Sequence, residues 1–171
     1  MKKGGLLVTG ELSAGELRLS FEDCRAFRDD EQIPDVGAYA HGIRGKGVRL
    51  AAILDLARVH PSALFLNIRN RSGTFAAVLF RAEVAELGIV VYELDGAPIP
   101  SELGGPFRFV LPGFHDEARD VADVACLELS RRPGLDTRAA PWDQIQFGPV
   151  PLPAEEIAPA ASPRSFLMPR P

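Results

Sequence analysis

Proline placement constrains this chain more than any other feature: eight of its 15 prolines fall between Pro141 and Pro171. Proline removes a backbone donor and fixes φ, so a segment this rich in it builds neither a helix nor an interior strand. Pro149-Val150-Pro151-Leu152-Pro153 is expected to be extended, close to polyproline II. The folded body must come earlier, so we place it at residues 1–130, with a Pro-rich C-terminal tail over 131–171. Trp142, Phe147, Phe166 and Met168 leave two outcomes open for that tail. They can pin it to the body, or it can stay free and offer itself to a protein partner.

A chain of 171 residues with 46% hydrophobic and 25% charged residues is long enough to bury a genuine core, which excludes a wholly disordered protein. The formal charge of −4 argues against general nucleic-acid binding, which draws on a surplus of Lys and Arg. Apolar runs such as Ile89–Tyr92 fall far short of the ~20 residues that cross a bilayer, so no membrane contact is expected. After Met1-Lys2-Lys3, Glu11 cuts the apolar stretch short, which predicts no secretory signal and a cytoplasmic protein. Cys24 and Cys126 make neither a disulfide framework nor a zinc pattern.

Periodicity in the body alternates between strand and helix. Leu6–Leu12 and Glu16–Leu19 read as strands around Ser13-Ala14-Gly15. Ser20 should cap a short helix, with Glu22 and Asp23 at its positive end. Val36–His41 reads as a strand leading into a glycine-punctuated loop, Gly42–Gly47. Leu50, Ile53, Leu54 and Ala57 repeat at helical spacing, which predicts an amphipathic helix over 49–59. Ala63–Ile68 and Thr74–Phe80 flank a hairpin-type turn at 70–73, and Arg81–Leu87 reads as a helix closed by a left-handed Gly88. Ile89–Leu94, Phe107–Leu111 and Val124–Leu129 complete the strands, with a tight turn at Asp95-Gly96. The expected class is α/β in the mixed, α+β sense: mainly antiparallel sheets with few helices.

Charge is unevenly spread. Between His41 and Arg81 there are seven basic residues (Arg44, Lys46, Arg49, Arg58, Arg69, Arg71, Arg81) and one acid, Asp55. Between Glu83 and Glu128 there are ten acids against Arg108 and Arg119. The first block can supply an anion site or solvated loop charges. Gly42-Ile43-Arg44-Gly45-Lys46-Gly47 can cradle an anion through its backbone N–H groups, yet it lacks the strand–loop–helix setting of a nucleotide site. Gly104-Gly105 strips two side chains from a strand entry, which permits close approach of backbone or ligand. If Phe107 and Phe109 point inward, Arg108 lies on the opposite face. His115 with Asp116, Glu117 and Asp120 forms an acidic loop to which we assign no metal.

Three segments in this order carry a family likeness: Gly47-Val48-Arg49-Leu50, then Tyr92-Glu93-Leu94-Asp95-Gly96-Ala97-Pro98-Ile99-Pro100, then Gly104-Gly105-Pro106-Phe107-Arg108-Phe109-Val110-Leu111-Pro112. Together with Ser20-Phe21-Glu22-Asp23 they resemble the sulfite-oxidase-type molybdopterin-binding domain family over residues 15–130. The resemblance implies the sulfite-oxidase catalytic fold and molybdopterin as cofactor. It also places several loops around one mouth, with Arg44, Lys46, Arg69 and Arg71 on one wall and Gly104, Gly105 and Arg108 opposite. Tyr39 and His41 are the polar groups beside that mouth, and Arg119 stands in the stretch where the family holds the pterin phosphate with lysine.

The family binds molybdenum through a thiolate ahead of its Gly-Val-x-Leu helix, a soft sulfur donor. The equivalent stretch here, Val36–Gly42, contains no cysteine, and Cys24 and Cys126 align with non-ligand positions. Asp120 and Asp123 beside Arg119 should repel a phosphate. Two functions follow. One is a divergent molybdopterin-binding oxidoreductase-like domain that takes a pterin phosphate or a small oxyanion; the other is a non-catalytic binding or scaffold protein that has lost the molybdenum cofactor. No catalytic residue is assigned to either.

Overall fold

The structure is a computed structural model and describes residues 4–138; the expectations for Trp142–Met168, polyproline stretch included, lie outside the described residues. Among the described residues, eleven strands and three short α-helices follow in chain order. β1 (Leu6–Gly10) and β2 (Leu17–Leu19) lead to α1 (Phe21–Arg25), and β3 (Gln32–Ile33) is followed by a 3₁₀ turn at Val36–Ala38. β4 (Lys46–Arg49) runs straight into α2 (Leu50–Leu56). β5 (Phe65–Asn70) and β6 (Ala76–Phe80) form a hairpin before α3 (Arg81–Val84). β7 (Ile89–Leu94), β8 (Ala97–Pro98), β9 (Arg108–Val110), β10 (Asp120–Val121) and β11 (Val124–Ser130) complete the set.

Two sheets result, ordered β2-β1-β11-β5-β6 and β10-β9-β7-β4-β3, with β8 paired to β7. Among the described residues all ladders are antiparallel except β1–β11, which sets Leu7 beside Cys126 and Gly10 beside Leu129. The architecture is the mixed, mainly antiparallel class that the patterning predicts. Its main core takes Val8, Leu66, Ile68 and Leu127 from the first sheet and Val48, Val90, Tyr92 and Phe109 from the second, closed by Cys24, Ile53 and Val84 from the helices. The other face of the second sheet carries a smaller cluster of Ile33, Val36, Ile43, Ile89, Val91 and Val110. Strand β7 is thus buried on both faces, Val90 and Tyr92 one way and Ile89 and Val91 the other. That explains its unbroken apolar run.

Local chemistry decides the helix ends. Ser20 Oγ accepts from the Asp23 backbone N–H at 3.2 Å, and the Asp23 carboxylate accepts from the Ser20 N–H at 2.8 Å, a reciprocal capping box. The cap prediction therefore holds. A buried polar chain ties this helix to the second sheet: the Tyr92 hydroxyl donates to Gln32 Oε1 at 2.9 Å, and Gln32 Nε2 donates to the Cys24 carbonyl at 2.8 Å. Asp95 and Gly96 both take positive φ, as a two-residue primed hairpin turn requires.

Two expectations need correction. Val36–His41 is not a strand. Pro34 cannot donate to a ladder, and Asp35 Oδ1 accepts from the Gly37 N–H at 2.9 Å, which winds Val36–Ala38 into a 3₁₀ turn instead. The ladder that the pattern assigns to that segment belongs to Gln32–Ile33 before it and Lys46–Arg49 after it. Gly88 is not a left-handed cap. A β-carbon there would stand 2.7 Å from Leu50 Cδ2, so the glycine serves close packing against α2.

Residues 131–138 lie against the first sheet. The Gly134 N–H donates to Asn67 Oδ1 at 2.9 Å, and Thr137 exchanges hydrogen bonds with Ala76 on the outer strand β6. Arg138 donates to the Val78 carbonyl, to Asp136 and to Asp116. Edge donors and acceptors of β6 that would invite another strand are thereby satisfied.

Candidate functional site

Strand β9 alternates, and that alternation aims the site. Phe107 and Phe109 are buried in the main core, so Arg108 emerges on the opposite face of the sheet, as the pattern predicts. On that face the 3₁₀ turn and the loop behind it bring Tyr39, His41 and Gly42 over the sheet, anchored by Ile43 and Val36 in the smaller core cluster. The loop after β9 contributes Gly113 and His115, the turn before β10 contributes Arg119, and β10 itself contributes Asp120. These pieces enclose an open cleft of about 400 Å3. That is within the range of small-molecule sites, though toward its low end.

Arg108 is the best-held cation in the cleft. Its Nε and Nη2 donate to the two carboxylate oxygens of Asp120 at 2.5 Å each, with both side chains 29% exposed. The hydrogen bond to Asp120 raises its pKa above the ordinary arginine value, partial burial works the other way, and the guanidinium stays charged throughout. The pairing follows from register. Asp120 lies opposite Val110, so Arg108 two residues back is its diagonal neighbour on the same face. Arg119 is exposed in the same wall, and among the described residues it makes no ion pair.

The sequence-derived site residues thus separate. Tyr39, His41, Arg108 and Arg119 come together. Arg44 and Lys46 do not join them: they line a different hollow beside Glu93 and Gly96, where Arg44 meets Asp95 at 3.2 Å and both are mostly exposed. Arg69 sits on β5 in the other sheet, bonded to Glu128 at 3.0 Å and lying 3.6 Å from Cys126 Sγ. Arg71 pairs with Asp123 at 3.1 Å. The basic block is contiguous in sequence, but the ladders send its members to different faces. Gly104 and Gly105 do not line the cleft either. A β-carbon on Gly105 would fall 1.8 Å from the Ile99 carbonyl oxygen, and one on Gly104 would fall 2.8 Å from Ala122 Cβ. Their bareness lets the chain pass itself. Sequence reasoning missed His115 as a wall residue, although its place just after Pro112-Gly113 at a strand end marks a loop tip.

A family described as the oxidoreductase molybdopterin binding domain matches residues 31–133. The chain belongs to this family. Among solved structures, the sulfane dehydrogenase SoxCD from Paracoccus pantotrophus is similar, with a TM-score of 0.59 and 19% identity over 77% of this chain and 39% of that one. That likeness shows the sulfite-oxidase-type fold, and this chain spans about two-fifths of the SoxCD chain. No curated protein matches it.

The cofactor of this family must be tested against the donors present. A soft thiolate is the matching protein ligand for molybdenum, and neither cysteine lines the cleft. Cys24 is fully buried in α1, where burial first and the nearby Asp23 second push its thiol up to about 12. Cys126 is buried on β11 beside Arg69. No group of three or more His, Cys, Asp or Glu suited to a metal occurs among the described residues. The donor set does not fit a metal held by the protein.

Proposed function

We propose that this molybdopterin-family domain binds a small tetrahedral oxyanion, free or as the phosphate of a pterin, and works as a binding domain without a protein thiolate on molybdenum. One observation supports the reading above others: Arg108 and Arg119, the latter without an ion pair among the described residues, share a cleft with His41, His115 and Tyr39, and no cysteine is in its wall. Guanidinium groups present paired N–H donors at the spacing of phosphate and sulfate oxygens. The flanking Tyr39 hydroxyl and histidine rings add further donors. The redox reading carried by the family would draw a metal ligand from His41 or Tyr39 in the same cleft, so one experiment addresses both.

The full chain is produced in a host that makes molybdopterin, purified, and analysed for molybdenum, pterin and releasable phosphate. Our reading expects molybdenum far below one per chain. Co-purified pterin with its phosphate would identify the organic source, whereas thermal stabilisation by inorganic phosphate without retained pterin would identify the free anion. Stoichiometric molybdenum would overturn the proposal in favour of the redox enzyme.

A further inference from the structure

Asp120 stands where an anion-binding cleft should least want a carboxylate, and it is not a bystander. Its two oxygens occupy Nε and Nη2 of Arg108, the same two-point geometry by which a guanidinium takes a phosphate or sulfate. Its backbone is fixed by the β9 ladder opposite Val110, and the residue before it is tied by the Leu111 N–H to the Arg119 carbonyl at 2.8 Å. The carboxylate can therefore leave Arg108 only by rotating its side chain. At 29% exposure it has water to rotate into.

We infer that Asp120 is a built-in competitor for the ligand: it fills the Nε–Nη2 edge of Arg108 in the free protein, and an oxyanion takes that edge only by displacing it, Nη1 and the second Nη2 proton being the donors it leaves open. The inference rests on the oxyanion reading of the cleft and adds a specificity rule to it. A singly charged anion can use Arg119, which makes no ion pair among the described residues, and the open Nη1 of Arg108, but cannot repay removal of a carboxylate from the Nε–Nη2 edge. A phosphate- or sulfate-type dianion carries the charge to take both arginines. The ligand class is accordingly a divalent tetrahedral oxyanion, and nitrate or chloride should bind far more weakly.

The test is a set of phosphate and sulfate titrations of the full chain at constant ionic strength, followed by calorimetry. Wild type is compared with Asp120→Asn and with Asp123→Asn, an acid nearby in sequence that pairs with Arg71 instead. We expect Asp120→Asn to lower the phosphate Kd roughly tenfold, since a like charge beside the anion is gone, and Asp123→Asn to leave it unchanged. A second readout needs no variant: the Arg108 Nε–Hε resonance of the wild type should move with phosphate at the calorimetric midpoint. Equal wild-type and Asp120→Asn affinities, an equal gain in Asp123→Asn, or a static Arg108 resonance would each overturn the competitor while leaving the cleft reading intact. Absence of saturable binding in every form would overturn both.

Discussion

Arg138 offers a quantitative test of how the segment after β11 is held. Its Nε donates to both oxygens of Asp136 at 2.9 and 3.1 Å, Nη1 donates to Asp116 at 2.8 Å, and Nη2 donates to the Val78 carbonyl at 2.8 Å. The Arg138 side chain is 17% exposed and that of Asp136 24%, whereas Asp116 is half-exposed. Hydrogen bonds to charged groups contribute about 1.5–3 kcal/mol when buried, while exposed pairs contribute well under 1 kcal/mol. Crediting the Asp136 pair fully and discounting Asp116, Arg138→Ala should cost about 2–3 kcal/mol. For a chain of this length that corresponds to a fall in Tm of about 6–9 °C.

Far-UV circular dichroism on heating measures that shift, with urea unfolding as a check on the free energy. Arg28→Ala is the control, because Arg28 is largely exposed in both its pairs, with Asp30 and with Glu31, and its Tm should move by less than about 1 °C. Acid adds a second signature. Burial acts to raise the Asp136 carboxyl pKa, but hydrogen bonds from Arg138 and from the backbone of Val78 and Arg138 outweigh it and hold the pKa below its ordinary value. A carboxyl ionised more easily in the folded than in the unfolded chain contributes stability above its unfolded pKa. That contribution fades as the pH falls toward the depressed folded value. The gap between wild type and Asp136→Asn should therefore be full at neutral pH and shrink in acid. An Arg138→Ala variant as stable as Arg28→Ala would refute the argument.

Other expectations are equally direct. Tyr92→Phe removes the donor to Gln32 Oε1 in a fully buried setting, and urea unfolding should show a loss of about 1–3 kcal/mol. Gly105→Ala drives a methyl into the Ile99 carbonyl, so calorimetric unfolding should register about 1–3 kcal/mol of destabilisation or more, with no selective loss of phosphate affinity. Cys24 should stay unreactive toward a thiol reagent until the chain is unfolded, because burial holds its thiol up at about 12. Cys24→Ala and Cys126→Ala should each leave phosphate binding unchanged in calorimetry.

The features legible in the sequence were those set by near neighbours. Ser20 with Asp23 announced a cap, the alternation Phe107-Arg108-Phe109 announced which way Arg108 points, and Asp95-Gly96 announced a tight turn. The illegible ones depended on pairing over distance. β3 is two residues long, too short for any period, and becomes a strand because β4 returns beside it. Arg44, Arg69 and Arg71 form one basic block in the chain, yet Asp95 in the β7–β8 turn, Glu128 on β11 and Asp123 in the β10–β11 turn take one each. Asp120 read as a charge opposed to phosphate, and only the β9–β10 register reveals that it already neutralises Arg108.

The central claim is that one cleft, and not the scattered basic block, receives the anion. Backbone-amide NMR during a phosphate titration of the full chain tests it most directly. Saturable shifts are expected, confined to 39–43, 108–115 and 119–120, with the signals around Arg44, Arg69 and Arg71 unmoved. Shifts spread over those three arginines, or a response that never saturates, would contradict it.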